Sequence, residues 1–317
     1  MLGIDLGSNT MRGVVMDENF KKIDSFEFII GAAKNLNESG KIGDEAILRL
    51  KNALTKLKKY DLKNARAFAT AAFRKANNTN EIFENLKNEF DINFKTIDAK
   101  TEARLSILGM KFGLRNLKMS GEFGFIDLGG ASCEFTFKSY FQSFDFGIIS
   151  FYERAIENPL AMQSALKCPF LKNTKNKRLK LQAVIKDKKL LNLAFKAFEE
   201  VKFMKKMIHK MKCKNIVLNS GVPTTLVSLK QGLRYDEYDS NLINGKSLSK
   251  NDFLYLGLKI WSMSENEAKK WVGSMRKNYL VAGCFLFYSL LENEKIIVVD
   301  EGLREGICLE KVISTFS

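Results

Sequence analysis

The chain has 317 residues, 45% of them hydrophobic and only three of them proline, with 51 Lys and Arg against 36 Asp and Glu for a formal charge of +15. Such a length suits about two domains of ~100–200 residues, and this apolar content excludes a disordered chain. One histidine, His209, and five scattered cysteines (Cys133, Cys168, Cys213, Cys284, Cys308) with no CxxC pair leave almost nothing for Ser-His-Asp, Cys-His or zinc chemistry, and this is cytoplasmic cysteine usage.

A pI near 9.4 biases the protein toward polyanions, although a solvated Lys-rich surface gives the same count. Nucleic acid is not expected as a partner, because no zinc-finger spacing, RNP aromatic motif or basic heptad region is present. Inorganic polyphosphate or a highly phosphorylated nucleotide satisfies the same charge. Asp5 interrupts the first apolar run, so no secretory signal is read, and no stretch of ~18 apolar residues predicts a membrane span.

In chain order, residues 2–6, 12–16 and 23–30 predict a three-strand meander. Between the first two strands lies Ile4-Asp5-Leu6-Gly7-Ser8-Asn9-Thr10, a hairpin with Asp at the strand end and Gly in the turn. Apolar spacing predicts a helix over 44–60, then a strand over 65–69 that hands over to a helix beginning near Thr70, a natural place for an anion. A helix over about 80–89, a strand over 93–97 and a helix over 101–112 follow. Glu102 in the first turn of that last helix suits the helix dipole, which is the usual reason for an acid there.

The opening motif then returns as Ile126-Asp127-Leu128-Gly129-Gly130-Ala131-Ser132. One copy alone reads equally well as an ordinary turn. Two copies about 120 residues apart suggest a duplicated fold whose halves face each other across a phosphate group. Small residues in such turns leave N–H groups free for an anion, and the neighbouring Asp5 and Asp127 would repel that anion unless they held a cation, so phosphate with Mg²⁺ is the economical reading. Residues 150–211 read as mainly helical. Lys172, Lys175, Lys177, Arg178 and Lys180 make a candidate electropositive track or a solvated helix face. A buried strand over 215–218 enters the turn Ser220-Gly221-Val222-Pro223-Thr224-Thr225, whose amides could add a third phosphate contact. Gly245-Lys246-Ser247 lacks the glycine spacing of a P-loop. Helices over 250–262 and 277–291, a strand over 295–299 and a helix beginning at 302–306 complete the chain.

Asp5-Leu6-Gly7-Ser8-Asn9, Ala69-Thr70-Ala71-Ala72-Phe73-Arg74, Glu102-Ala103-Arg104, Asp127-Leu128-Gly129-Gly130-Ala131-Ser132, Ser220-Gly221 with Thr224, and Gly302-Leu303-Arg304-Glu305-Gly306 occur in the order of one known family. The chain resembles the exopolyphosphatase and guanosine pentaphosphate phosphohydrolase (Ppx/GppA) family over nearly its whole length. The resemblance implies an α/β fold of the actin, sugar-kinase and heat-shock ATPase superfold, with two ribonuclease H-like domains and a cleft between them. The expected domains are 1–118 and 119–302, with the C-terminal helix, about 303–317, packing back on the first.

The implied reaction is hydrolysis of the terminal phosphate of polyphosphate or pppGpp, with a role in the stringent response. By the family pattern Glu102 is the general base, Asp5 and Asp127 hold Mg²⁺ or orient water, and Arg74 contacts phosphate. Gly7, Ser8, Asn9, Thr70, Gly129, Gly130, Ala131, Ser132, Gly221 and Thr224 form the phosphate loops. A non-catalytic alarmone or polyphosphate sensor and a kinase or ATPase of the same superfold are the alternatives, and a homodimer is compatible with the pattern. Four positions depart from it: Thr101 in place of a first glutamate, Ala131 in place of a third glycine, Asn278 in place of an aspartate, and Val222 in place of a second glycine. The family's additional C-terminal helical domain is not expected, which makes this a short form.

Overall fold

The computed structural model describes residues 1–157 and 181–313. The basic positions Lys172, Lys175, Lys177, Arg178 and Lys180, together with Cys168, lie outside the described residues.

Two mixed sheets carry the fold, and each starts from one of the repeated hairpins. In the first, β1 (Leu2–Leu6), β2 (Thr10–Met16) and β3 (Lys22–Ile29) form an antiparallel meander, and β4 (Arg66–Ala69) and β5 (Phe94–Thr96) add in parallel beyond β1, for the order β3-β2-β1-β4-β5. In the second, β6 (Gly124–Leu128), β7 (Cys133–Phe137) and β8 (Tyr140–Phe144) repeat the meander. β9 (Asn215–Asn219) and β11 (Lys295–Val298) run parallel to β6, and β10 (Lys246–Leu248) closes the edge, for the order β10-β11-β9-β6-β7-β8. The β-α-β crossovers require helices on the sheet faces. The duplicated topology is that of the actin, sugar-kinase and heat-shock ATPase superfold.

The helix of greatest consequence is Ala99–Asn116, started by the Asp98 side chain, which accepts from the Thr101 amide at 2.7 Å. Its Gly109 and Leu105 lie against the C-terminal helix Leu303–Ile313. A Cβ placed on Gly109 would stand 1.9 Å from the Gly302 carbonyl oxygen, and one on Gly306 would stand 1.9 Å from that of Leu105. Two backbones therefore approach closer than any side chain allows. Gly3 on β1 meets the same C-terminal helix, since a Cβ there would sit 2.6 Å from the Arg304 carbonyl oxygen. The chain thus leaves the second sheet at β11 and returns to pack on the first.

Gly245, at φ +76°, turns the chain into the edge strand β10, and its amide donates to the Val298 carbonyl at 2.9 Å. Glycine in Gly245-Lys246-Ser247 serves that left-handed turn.

Candidate active site

The two repeated turns close in the same way. Gly7 N–H donates to the Thr10 carbonyl at 2.8 Å, and Gly129 N–H donates to the Ser132 carbonyl at 2.9 Å. Those two glycines spend their amides on the turn itself. The amides left without an acceptor among the described residues are those of Ser8, Asn9, Gly130 and Ala131, so the tips of the turns offer the anion-binding groups. The tips touch: a Cβ on Gly130 would lie 2.8 Å from Ser8 Cβ and 3.7 Å from the Asn9 nitrogen. From the other side comes the N-terminus of the helix Gly221–Lys230, directly after β9. Together the three enclose a cavity of about 90 Å³ lined by Gly7, Ser8, Asn9, Gly129, Gly130 and Gly221, with Arg12 and Arg276 on its wall.

Strand register explains the charged groups behind this cavity. Residues directly opposite on neighbouring strands share a face, and Asp5 stands opposite Arg12, which stands opposite Glu27. In the second sheet Asp127 stands opposite Glu134, which stands opposite Ser143. Both partners sit seven residues after their aspartate. The duplicated hairpin therefore places an arginine in one copy where it places a glutamate in the other.

Four carboxyl groups with raised pKa values gather here, and the charge of Asp127 acts on the other three. Burial, then the charge of Glu102, raises Asp5 to about 8. Glu102 is pushed up to about 7 by burial, with Asp127 adding to the rise and Arg74 opposing it. Burial also raises Asp127, while Ser106 Oγ donates to its Oδ2 at 2.5 Å and opposes the shift. Glu134 is held well above the carboxylate range by burial and by the charges of Glu102 and Asp127, although the Ser132 and Ser143 side chains donate to it. Of the four, Glu102 at about 7 and Asp5 at about 8 stand nearest neutrality. Arg74 Nη1 donates both to Glu102 Oε2 at 2.6 Å and to the Ile97 carbonyl at 2.7 Å, which fixes the glutamate's position.

The remaining expected residues take supporting places. Thr70 is buried, its amide donating to the Leu6 carbonyl at 3.1 Å, and it starts the short helix Ala71–Lys75 that carries Arg74. Ser132 is buried beside Glu134. Thr224 Oγ1 donates to the Ser220 carbonyl at 2.8 Å and faces a second, outer chamber. Glu102 and Arg74 are absent from the wall of the small cavity, as are Asp5, Asp127, Thr70, Ala131, Ser132 and Thr224, and Glu102 belongs with Asp127 to the acid cluster.

Sequence reasoning passed over Arg12, Glu134 and Arg276 as site residues. A usable signal existed for the first two, a charge seven residues after each repeated aspartate inside an otherwise apolar strand. Arg276 carried only the family's Arg-x-Asp pattern, which here reads Arg276-Lys277-Asn278, and its place comes from tertiary approach: a Cβ on Gly221 would lie 2.8 Å from Arg276 Nη2 and 3.5 Å from Arg12 Nη2. Both arginines also line the outer chamber of about 380 Å³, with Phe26, Glu27, Tyr235 and Trp271. A larger groove of about 630 Å³, lined by Leu114, Met119, Phe123 and Phe137, shares no residue with either cavity.

The donor set fits a divalent cation. Asp5 Oδ1 is buried and has no hydrogen-bond partner, and a cation would offset the burial that raises Asp5 and Asp127. Among the described residues no three acidic, Cys or His side chains group closely enough to form a cage. One or two carboxylates completed by substrate phosphate oxygens is the ordinary arrangement for Mg²⁺.

The two mixed sheets with their duplicated hairpins define a protein of the actin-like superfold. The model of the Ppx/GppA phosphatase family matches residues 16–168, and the resemblance to that family holds. The fold of an Aquifex aeolicus member of the Ppx/GppA family matches with a TM-score of 0.67 at 24% identity, covering 100% of this chain and 98% of that one. An exopolyphosphatase from Cytophaga hutchinsonii matches with a TM-score of 0.73 at 20% identity, covering 98% and 97%. An exopolyphosphatase-like protein matches with a TM-score of 0.76 at 20% identity, covering 99% of each chain. No curated protein sequence matches this chain. Among the described residues no helix is long and apolar enough to cross a membrane.

Proposed function

We propose that this chain is a phosphoanhydride hydrolase that releases orthophosphate from the end of inorganic polyphosphate, of pppGpp, or of both. The observation that carries the reading is the meeting of three phosphate-type turns around one anion-sized cavity, backed by an acid whose pKa stands at about 7. We take the two sheets as two domains dividing near residue 118, with the cavity in the cleft between them.

Hydrolysis of a phosphoanhydride needs positioning and charge neutralisation more than covalent help. Free amides of Ser8, Asn9, Gly130 and Ala131 take the oxygens of the terminal phosphate. Arg12 and Arg276 neutralise charge on the phosphates that follow. Glu102, ionised, accepts a proton from the attacking water, while Arg74 holds its Oε2 in place. Asp5 and Asp127 are the groups that would hold Mg²⁺, which supplies further charge neutralisation on phosphate oxygens when bound. Neither a nucleophilic serine nor a cysteine is needed.

Turnover of tripolyphosphate in ¹⁸O-labelled water tests the reaction directly. One label per released orthophosphate is expected. Transfer of the phosphate to an added acceptor, with unlabelled product, would make the protein a kinase of the same superfold.

A further inference from the structure

The small cavity and the outer chamber share two residues, Arg12 and Arg276. The arginine pair is thus the partition between the seat of one phosphate and the space into which the rest of a substrate must extend. One carboxylate stands within ion-pair distance of both guanidinium groups, and Arg276 Nη2 also donates to the Gly221 carbonyl and to Thr225 Oγ1, each at 3.3 Å. Glu27 Oε2 stands 2.8 Å from Arg12 Nε, and Glu27 Oε1 stands 3.7 Å from Arg276 Nη1. Tyr235 O–H donates to Glu27 Oε1 at 3.3 Å. Among the described residues no other carboxylate lies within ion-pair distance of either arginine.

The other charges of the chamber do not substitute. Arg304 is taken up by Asp300 and by Glu305, the latter at 2.7 Å. Lys22 donates to Ser240 at 2.5 Å. Asp239 and Asp300 add negative charge to the same wall. A chamber built to receive a run of phosphates would leave its arginines free, and here they are neutralised from within.

We propose that Glu27 is a specificity-determining residue, an internal anion that occupies the Arg12–Arg276 pair so that a substrate carrying several phosphates binds only by taking the two arginines from it. The inference rests on the reading of the small cavity as the seat of the terminal phosphate. It gives this chain weaker affinity for extended polyphosphate than the arginine pair would otherwise provide. Glu27 acts through the arginines and touches no reacting atom.

The test is calorimetric titration of inorganic tripolyphosphate into the Glu102→Gln protein, which does not consume it, with and without Glu27→Gln. Neutralising the competitor frees charge-assisted bonds to phosphate, and binding should tighten by about tenfold or more. Glu27→Asp, which keeps the charge, should tighten it far less. Tyr235→Phe, which removes one donor holding the carboxylate, should shift it the same way by a smaller factor, and it serves if Glu27→Gln does not fold. In the active protein the gain should fall in KM rather than in kcat. Unchanged or weaker binding in folded Glu27→Gln protein would make Glu27 a structural ion pair and overturn the proposal. Binding that tightens as expected in a protein without hydrolytic activity would sink the hydrolase reading and leave the role of Glu27 standing.

Discussion

At the scale of single residues, the chemistry turns on carboxyl groups moved away from their ordinary range. Glu102 sits at about 7 through burial, so its ionised fraction, and with it the activity, should rise as pH increases through about 7. Replacement by glutamine keeps the shape and the contact to Arg74 but removes proton acceptance. Glu102→Gln is expected to lose about 10²–10⁴-fold in kcat while retaining tripolyphosphate binding by calorimetry. A loss below threefold would place the base elsewhere. Asp5 offers a stability measurement. Its native pKa of about 8 lies above the ordinary value of 3.8, so between those pH values the native state holds a proton that the unfolded chain has released. Its contribution is therefore most favourable below about pH 4 and declines as pH rises toward 8. Metal-free Asp5→Asn protein should show a flatter fall in Tm over that window and melt on the order of 2 °C higher at pH 8. A melting temperature that stays below wild type at pH 8 would show that the carboxylate is stabilised by contacts instead.

At the scale of elements, the duplicated hairpin was plain in the sequence because strand, turn and aspartate recur with the same spacing. The first meander, the long helices and the C-terminal helix could be placed from periodicity to within a few residues. Boundaries slipped where capping decides them: Asp98 starts its helix at Ala99 rather than at 101, and the helix Glu265–Val272 escaped periodicity, although Ser264 and Glu267 form its capping box. Arg276 and the Gly221 approach could not be read, because they depend on two segments 55 residues apart meeting in space. The same holds for Gly109 and Gly306, whose backbones pack helix against helix. Gly306→Ala would drive a methyl into the Leu105 carbonyl. Overpacking of this kind costs about 1–3 kcal/mol, and because the displaced helix carries Glu102, kcat should fall along with Tm. A fall in Tm with kcat preserved would show that the site tolerates movement of that helix.

At the scale of the whole molecule, apolar packing joins the two sheets: Met110 and Leu114 of the helix Ala99–Asn116 cluster with Phe125, Val217 and Ile297 of the second sheet. Lys75 pairs with Asp145 at 2.6 Å, Lys22 reaches Ser240, and Glu27 reaches Arg276. The exposed pair is expected to contribute little, so the relative position of the sheets rests on that packing and on the return of the C-terminal helix to β1. The net charge of +15 bears on affinity: long-chain polyphosphate should bind more weakly as salt rises from low to physiological concentration, since counterion release then gains less. Salt-independent binding would confine recognition to the cavity.

Hydrolysis of a terminal phosphoanhydride at this site is read out by the release of orthophosphate. Purified protein with Mg²⁺ should release orthophosphate from tripolyphosphate, long-chain polyphosphate or pppGpp, and Glu102→Gln should abolish most of that release. No release from any of the three substrates, or equal release by the variant, would contradict the account.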